Sequence, residues 1–233
     1  MRILEITTIL KTMCGRFVLE ASPDQLMDAY RLTSPPVLNH RYNIAPSQQV
    51  VAVRQNKAET RELVQLRWGL IPSWAKDTSI GHKMINARSE TAHEKPSFKQ
   101  ALRTRRCLIP ASGFYEWEKV GKEKIPHYIR LRGGDLMAMA GLWESWKSPT
   151  GELIETCTVL TTTANALVKK IHDRMPVLLH NDEFNRWLSR DNNDIANLAE
   201  LFLPYPSDLL EEYVVANTVN HVSTDSPACI LPV

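Results

Sequence analysis

The sequence lacks most of the features that assign a chain quickly. No uninterrupted apolar run approaches the ~20 residues that a bilayer-spanning helix requires, so a membrane protein is not expected. The stretch from Met1 to Thr12 carries Glu5 inside its apolar part and has no small-residue cleavage site, which argues against a secretory signal. Cysteine is scarce: Cys14, Cys107, Cys157 and Cys229 lie far apart, without a Cys-x-x-Cys pair. That spacing excludes common zinc sites and a dense disulfide framework, and it suits reduced thiols in the cytoplasm. Charge of one sign is also missing. The formal net charge is +2, and a domain that held nucleic acid by charge alone would usually be more basic. Any polyanion would have to meet a local cluster of cations. No repeat, low-complexity tract or Pro/Gly-rich linker divides the chain, and nothing calls for a metal or an organic cofactor. A monomer is the simplest expectation.

The 233 residues, 43% hydrophobic and 23% charged, are enough for one well-buried domain. Ser22-Pro23-Asp24-Gln25 has the makings of a capping box with proline in the first turn, so a helix is expected from there to about Leu32, before Ser34-Pro35-Pro36. Strands are expected at Gln49 to Arg54 and at Glu62 to Trp68, where apolar and polar residues alternate. Ser97 should open a helix that ends near Arg105. The middle is strand-rich: Arg106 to Ile109, Phe114 to Val120, His127 to Arg132, Leu136 to Trp143 and Leu153 to Thr161, with turns at Gly121-Lys122 and Gly133-Gly134. Ala164 to Ile171, Asp182 to Ser189 and Ile195 to Leu203 read as helices, and Tyr213 to Val219 as a last strand. Close spacing and tight turns favour antiparallel pairing. The expected class is α+β: a single domain with a mostly antiparallel, barrel-like β core and peripheral helices.

Four segments could carry chemistry: Met13-Cys14-Gly15-Arg16, Ile85-Asn86-Ala87-Arg88-Ser89-Glu90-Thr91, Gly113-Phe114-Tyr115-Glu116-Trp117 and Ile171-His172-Asp173-Arg174-Met175-Pro176. Singly, each has an ordinary reading. An isolated cysteine is usually a small buried hydrophobe, a strand glutamate is usually solvated, and a lone histidine is more often structural. Asn86 and Arg88 alternate on an extended segment and would share a face.

Taken together and in order, these segments resemble the SRAP (SOS response-associated peptidase) family, also described as abasic-site processing proteins. Arg41-Tyr42-Asn43-Ile44-Ala45-Pro46 and Trp68-Gly69-Leu70-Ile71-Pro72-Ser73-Trp74 are similar to two further family segments. The resemblance runs from Cys14 to Pro232-Val233. It implies a protein that binds single-stranded DNA containing abasic sites. It also implies a covalent bond through an N-terminal cysteine, with possible lyase and autopeptidase activities. Residue types fit that chemistry. An abasic deoxyribose opens to an aldehyde, and an α-amine of ordinary pKa about 7.7–8.0 can condense with it near neutrality. The adjacent thiol then closes a thiazolidine ring, where a lysine would stop at a hydrolysable imine. The resemblance gives Asn86 the task of holding the amine, Glu116 that of proton shuttle, and His172 that of sugar ring opening, with Thr161 at a further active-site position. Arg16, Arg41, Arg88 and Arg174 are expected to neutralise phosphates. Trp68 and Trp74 are expected to stack on bases, Trp74 being the better placed, and Pro46 to shape the backbone near the pocket.

The chain departs from the family pattern in one respect. Cys14 follows Met13 and twelve earlier residues, so as written it has no free α-amine. Three arrangements account for this: a start at Met13 with residues 1–12 outside the functional chain, proteolytic removal of the extension, or a permanent extension and no crosslinking. The first is the expected one, with 13–233 as the SRAP domain. Two other functions stay open at this point. One is a thiol peptidase pairing Cys14 with His172; the other is non-catalytic binding of single-stranded DNA.

Overall fold

The computed structural model describes residues 14–192 and 194–233. The expected extension, residues 1–12, lies outside the described residues. Thirteen strands and three short α-helices follow in chain order. Strand β1 is Arg16–Leu19, helix α1 Pro23–Tyr30, β2 Arg41–Ile44, β3 Gln49–Gln55, β4 Arg61–Trp68 and β5 Asn86–Arg88. Helix α2 is Lys99–Thr104, followed by β6 Arg106–Ala111, β7 Gly113–Val120, β8 Glu123–Leu131, β9 Met137–Lys147 and β10 Leu153–Thr163. Then come β11 Arg174–Pro176, β12 Leu178–Leu179, α3 Phe184–Leu188 and β13 Leu210–Val214.

These strands form two sheets. One has the order β13-β8-β7-β1-β2 and is antiparallel throughout. In the other, β10, β4, β3, β6 and β9 pair in turn, and β9 pairs back onto β10, which closes a five-stranded barrel. Within it the pairing of β4 with β10 is parallel, as is that of β5 with β10 outside the ring. The remainder is antiparallel, so the α+β class with a mostly antiparallel, barrel-like core is what the chain adopts. Closure removes free sheet edges, which otherwise invite pairing with other chains. A continuous apolar core joins the barrel to the inner face of the five-stranded sheet, with Phe17, Phe114 and Ile129 from the sheet and Leu66, Leu108 and Leu160 from the barrel. A second cluster on the sheet's outer face gathers Val18, Tyr42, Tyr115, Tyr128 and Cys229.

Local chemistry explains the elements. Ser22 accepts from the Gln25 amide while Gln25 returns a bond to the Ser22 amide, and Pro23 fills the first turn of α1. The helix stops at Tyr30 rather than Leu32, because Arg31 turns left-handed at φ 51°. Three expected helices shrink. Only Val168–Lys170 of the 164–171 segment is helical, as a 3-10 turn. There Ala164 donates to Asp173 O, tying the segment's two ends together, and Asn165 Oδ1 accepts from the Leu167 and Val168 amides. A full α-helix would break that closure. Residues 182–189 split into a 3-10 turn and α3, and Ala196–Phe202 is 3-10 throughout. The last strand ends at Val214 instead of Val219. Asn217–Asn220 coils into a turn whose Val219 carbonyl accepts from Arg16 and Asn43. The strands β1 and β2, four residues each, carry too short a pattern to be expected from sequence.

Gly113, which opens β7, sits under the ring of Tyr128. A Cβ there would lie 2.5 Å from Tyr128 Cζ and 2.6 Å from Ile129 O. Gly113→Ala should therefore lower unfolding stability by about 1–3 kcal/mol, the usual cost of overpacking, read as a lower urea midpoint at unchanged slope.

Candidate functional site at the junction of the two sheets

The site begins with a register. Arg16 of β1 lies opposite Tyr115 of β7, and Phe17 opposite Phe114. Continuing that antiparallel pairing past the start of β1 would set Gly15 opposite Glu116, with Cys14 the next residue. The Cys14 nitrogen donates to Glu116 Oε1 at 2.6 Å. Cys14 itself holds a left-handed φ of 40°, a conformation that costs energy in a residue with a Cβ. Both side chains are shielded, Cys14 being 4% and Glu116 2% exposed.

Burial dominates the electrostatics. It pushes the Glu116 carboxyl above the ordinary carboxylate range, against the opposing pull of His172 and of hydrogen bonds from Cys14 and the Trp117 amide. Burial likewise raises the Cys14 thiol well above its usual value, and neighbouring Glu116 raises it further, while Arg174 acts the other way.

His172 ends the 164–173 loop, its amide bonded to Val168 O. Its Nδ1 accepts from the Arg174 amide at 3.1 Å and lies 3.0 Å from Asp173 Oδ1. Arg174 is the hub behind this loop. Its guanidinium makes a bidentate pair with Glu90, at 2.5 and 2.8 Å, and donates to Thr161 O at 2.6 Å. Thr161 is fully buried in β10, opposite Arg88 of β5 on one side and Pro176 of β11 on the other. Asn86, half-buried on β5, pairs with Val159 two residues earlier. The strands β5, β10 and β11 thereby group Asn86, Thr161 and Arg174 on adjacent strands of the second sheet, and Arg174 is close enough to act on the Cys14 thiol.

The residues expected on DNA divide. Arg88 is exposed, Pro46 is half-buried in the turn after β2, and Trp74 is 58% exposed in a turn fixed by the bond from Trp146 Nε1 to Ala75 O. The other four have structural partners. Trp68 is 1% exposed, its Nε1 donating to Ile85 O and its ring edge-on to Phe17, so it has no face to offer a base. Arg16 is bound to Asn43 Oδ1 and to the Val219 and Asn220 carbonyls. Arg41 is held by Asp225 and Gln48, and Arg174 by Glu90 and Thr161. These guanidinium groups are already neutralised or hydrogen-bonded, which leaves little to offer a phosphate in this arrangement. Sequence reasoning missed the partners. Glu90 and Asn43 stand inside the motifs as unassigned residues, and Asp225 carries no local signal at all.

The site thus sets a buried carboxyl on a cysteine nitrogen, with a histidine close enough to act on that carboxyl. Comparison with known proteins identifies the lineage. Residues 13–222 match the model of the SOS response associated peptidase (SRAP) family, and the chain belongs to that family. It is 45% identical over 222 residues to the abasic site processing protein YoqW of Bacillus subtilis, covering 94% of this chain and 99% of that one. It is 34% identical over 197 residues to the abasic site processing protein HMCES of Gallus gallus, covering 74% of this chain and 58% of that protein. A crystal structure of a Bacteroides thetaiotaomicron protein superposes with a TM-score of 0.85 at 27% identity, over 94% of this chain and all of that one. Among the described residues no helix is long and apolar enough to cross a membrane.

The Arg174–Glu90 pair gives a prediction with a sign. Arginine holds the Glu90 carboxyl below its ordinary value, so this contribution is present above the unfolded glutamate pKa of about 4.3 and is lost as pH falls through the lower folded value. Arg174→Ala should cost about 2 kcal/mol at pH 7, since it leaves the buried Thr161 carbonyl unpaired. Urea unfolding near pH 3 should show a smaller penalty than at pH 7.

Proposed function

We propose that this protein acts on abasic sites in single-stranded DNA, and that in a chain beginning at Cys14 it joins them covalently as a thiazolidine. The observation that carries this reading is the 2.6 Å contact of Glu116 Oε1 with the Cys14 nitrogen. In such a chain that nitrogen is the α-amine. The relatives named for abasic-site processing, and a family match that starts at residue 13, support the same reading.

The steps balance as follows. His172 takes the proton of the closed sugar's C1′ hydroxyl and returns one to the ring oxygen, opening the aldehyde. The amine, oriented by Asn86, adds to C1′. Glu116 then delivers a proton to the departing hydroxyl, and water leaves as the imine forms. The Cys14 sulfur attacks the imine carbon, its proton passing through Glu116 to the nitrogen. The net change is loss of one water. A carboxyl with a raised proton affinity suits the donor and acceptor roles alike. Lyase activity would follow where the imine persists and the 3′ phosphate is eliminated. Arg88 and Trp74, both exposed, are the DNA contacts in this reading, and stacking on single strands is worth ~1–3 kcal/mol per base.

The thiol peptidase alternative has less support. Burial and neighbouring Glu116 push the Cys14 thiol above its usual value, whereas thiolate catalysis needs the opposite shift.

Protein beginning at Cys14, mixed with an abasic oligonucleotide, should give an adduct that survives denaturation, with none on intact DNA. Cys14→Ala keeps the amine and should give an adduct only when borohydride traps the imine. Glu116→Gln should slow formation about 100-fold or more. Absence of any adduct with the chain beginning at Cys14 would sink the proposal. An adduct retained when the amine is blocked would favour thiol chemistry instead. Arg88→Ala should lower the salt slope of single-strand binding by about 1.

A further inference from the structure

The inner face of the five-stranded sheet turns from apolar to polar as it nears the site. Phe114 and Ile129 are cross-strand partners, and the next pair on that face is Glu116 with His127. Directly opposed residues on antiparallel strands share a face, with Cβ atoms ~4.5–5.5 Å apart. His127 is therefore the immediate neighbour of Glu116 on the side away from Cys14, and it is only 7% exposed. Nothing in the chemistry above uses it.

Its surroundings are unusual for a buried imidazole. Nδ1 is 2.7 Å from Glu212 Oε2 on β13, and Nε2 is 3.4 Å from Glu118 Oε2 on β7. Nε2 is sealed from solvent and makes no hydrogen bond. Both nitrogens thus lie against carboxylate oxygens, and an imidazole can offer a proton at both only as imidazolium. The remaining groups on this face beside His127 are apolar: Ile125 and Ile129 on its own strand and Val214 opposite it on β13. Around Glu116 the charged or titratable neighbours are Cys14 at the start of β1 and His172 in the 164–173 loop, with Arg174 acting on Cys14 from the barrel end.

From this arrangement we infer that His127, held between Glu118 and Glu212, is a positioning residue that places a cation behind Glu116 and so sets the charge Glu116 carries during the reaction. A positive charge within a few ångströms favours the ionised form of a buried carboxyl, and it would keep Glu116 able to release the proton it must move. The inference deepens the proposed chemistry and rests on the role assigned there to Glu116.

The test uses protein beginning at Cys14, with His127→Gln, Glu212→Gln and a control, Glu211→Gln, whose carboxylate pairs with Arg130. Glutamate carboxyl 13C signals are titrated by NMR, with Glu116 assigned from Glu116→Gln. In parallel, the pH profile of adduct formation on an abasic oligonucleotide is recorded. Losing the cation should move the Glu116 titration, and the limb of the rate profile that Glu116→Gln removes, upward by about one pH unit. Glu212→Gln, which takes away an anion together with one partner of the cation, should move both by less than His127→Gln does, and Glu211→Gln should move neither. A purely structural His127 would lower thermal stability and leave both midpoints in place, which overturns the inference. A titration that moves while the rate limb stays also overturns it. Should His127→Gln fail to fold, His127→Asn decides between the same outcomes. If the wild type forms no adduct, the proposed function fails, while the NMR titration still reports whether His127 governs Glu116.

Discussion

The antiparallel register of β1 on β7 is the constraint on which the site depends. With Arg16 opposite Tyr115, the same register carried past the start of β1 would set Gly15 opposite Glu116; Cys14 leaves that line at φ 40° and its nitrogen donates to the Glu116 carboxylate. The ladder brings the two residues within reach and one side-chain bond fixes the last step. A slip of one residue would turn every side chain of β1 to the opposite face, moving Phe17 out of the main core and Val18 out of the tyrosine cluster. Packing on both faces of the sheet thus specifies where Cys14 stands.

The other half of the site comes from the barrel, and the two halves are held by different means. Glu116 is placed by backbone pairing within the five-stranded sheet, and Cys14, just before β1, by its bond to Glu116. Asn86 and Thr161 sit on strands of the second sheet, and His172 hangs on a loop closed by the bond between Ala164 and Asp173 and backed by the Arg174–Glu90 pair. Arg174 joins loop, strand and carboxylate in one buried group, which explains why an arginine stands so near the chemistry while its guanidinium faces inward.

Much of this was legible in the sequence, though unevenly. The long strands of the middle announced themselves through alternation and glycine turns, and the capping box of α1 appeared as read. The helices after Thr163 did not, because a closing loop bond and capping side chains keep them to single turns. The ordered motifs named Cys14, Glu116 and His172, which lie within reach of one another. They did not show the partners that three of the arginines have within the fold. A motif records that a residue is needed without recording what for, and Arg16, Arg41 and Asn43 are needed to grip the 217–225 segment. His127 was invisible because its neighbours come from three strands.

That grip has a consequence for association. Unlike the barrel, the five-stranded sheet has two outer strands, β2 and β13. Residues 225–233 blunt both: the Asp225 carboxylate accepts from the Tyr42 and Asn43 amides of β2, while Val233 donates to Val214 O and Pro232 bridges Val215 beside β13. One short segment thus shields both rims of the sheet that carries Glu116. A molecule cut before Asp225 would keep its barrel and expose two templates for intermolecular strand addition, so its first failure should be aggregation rather than unfolding.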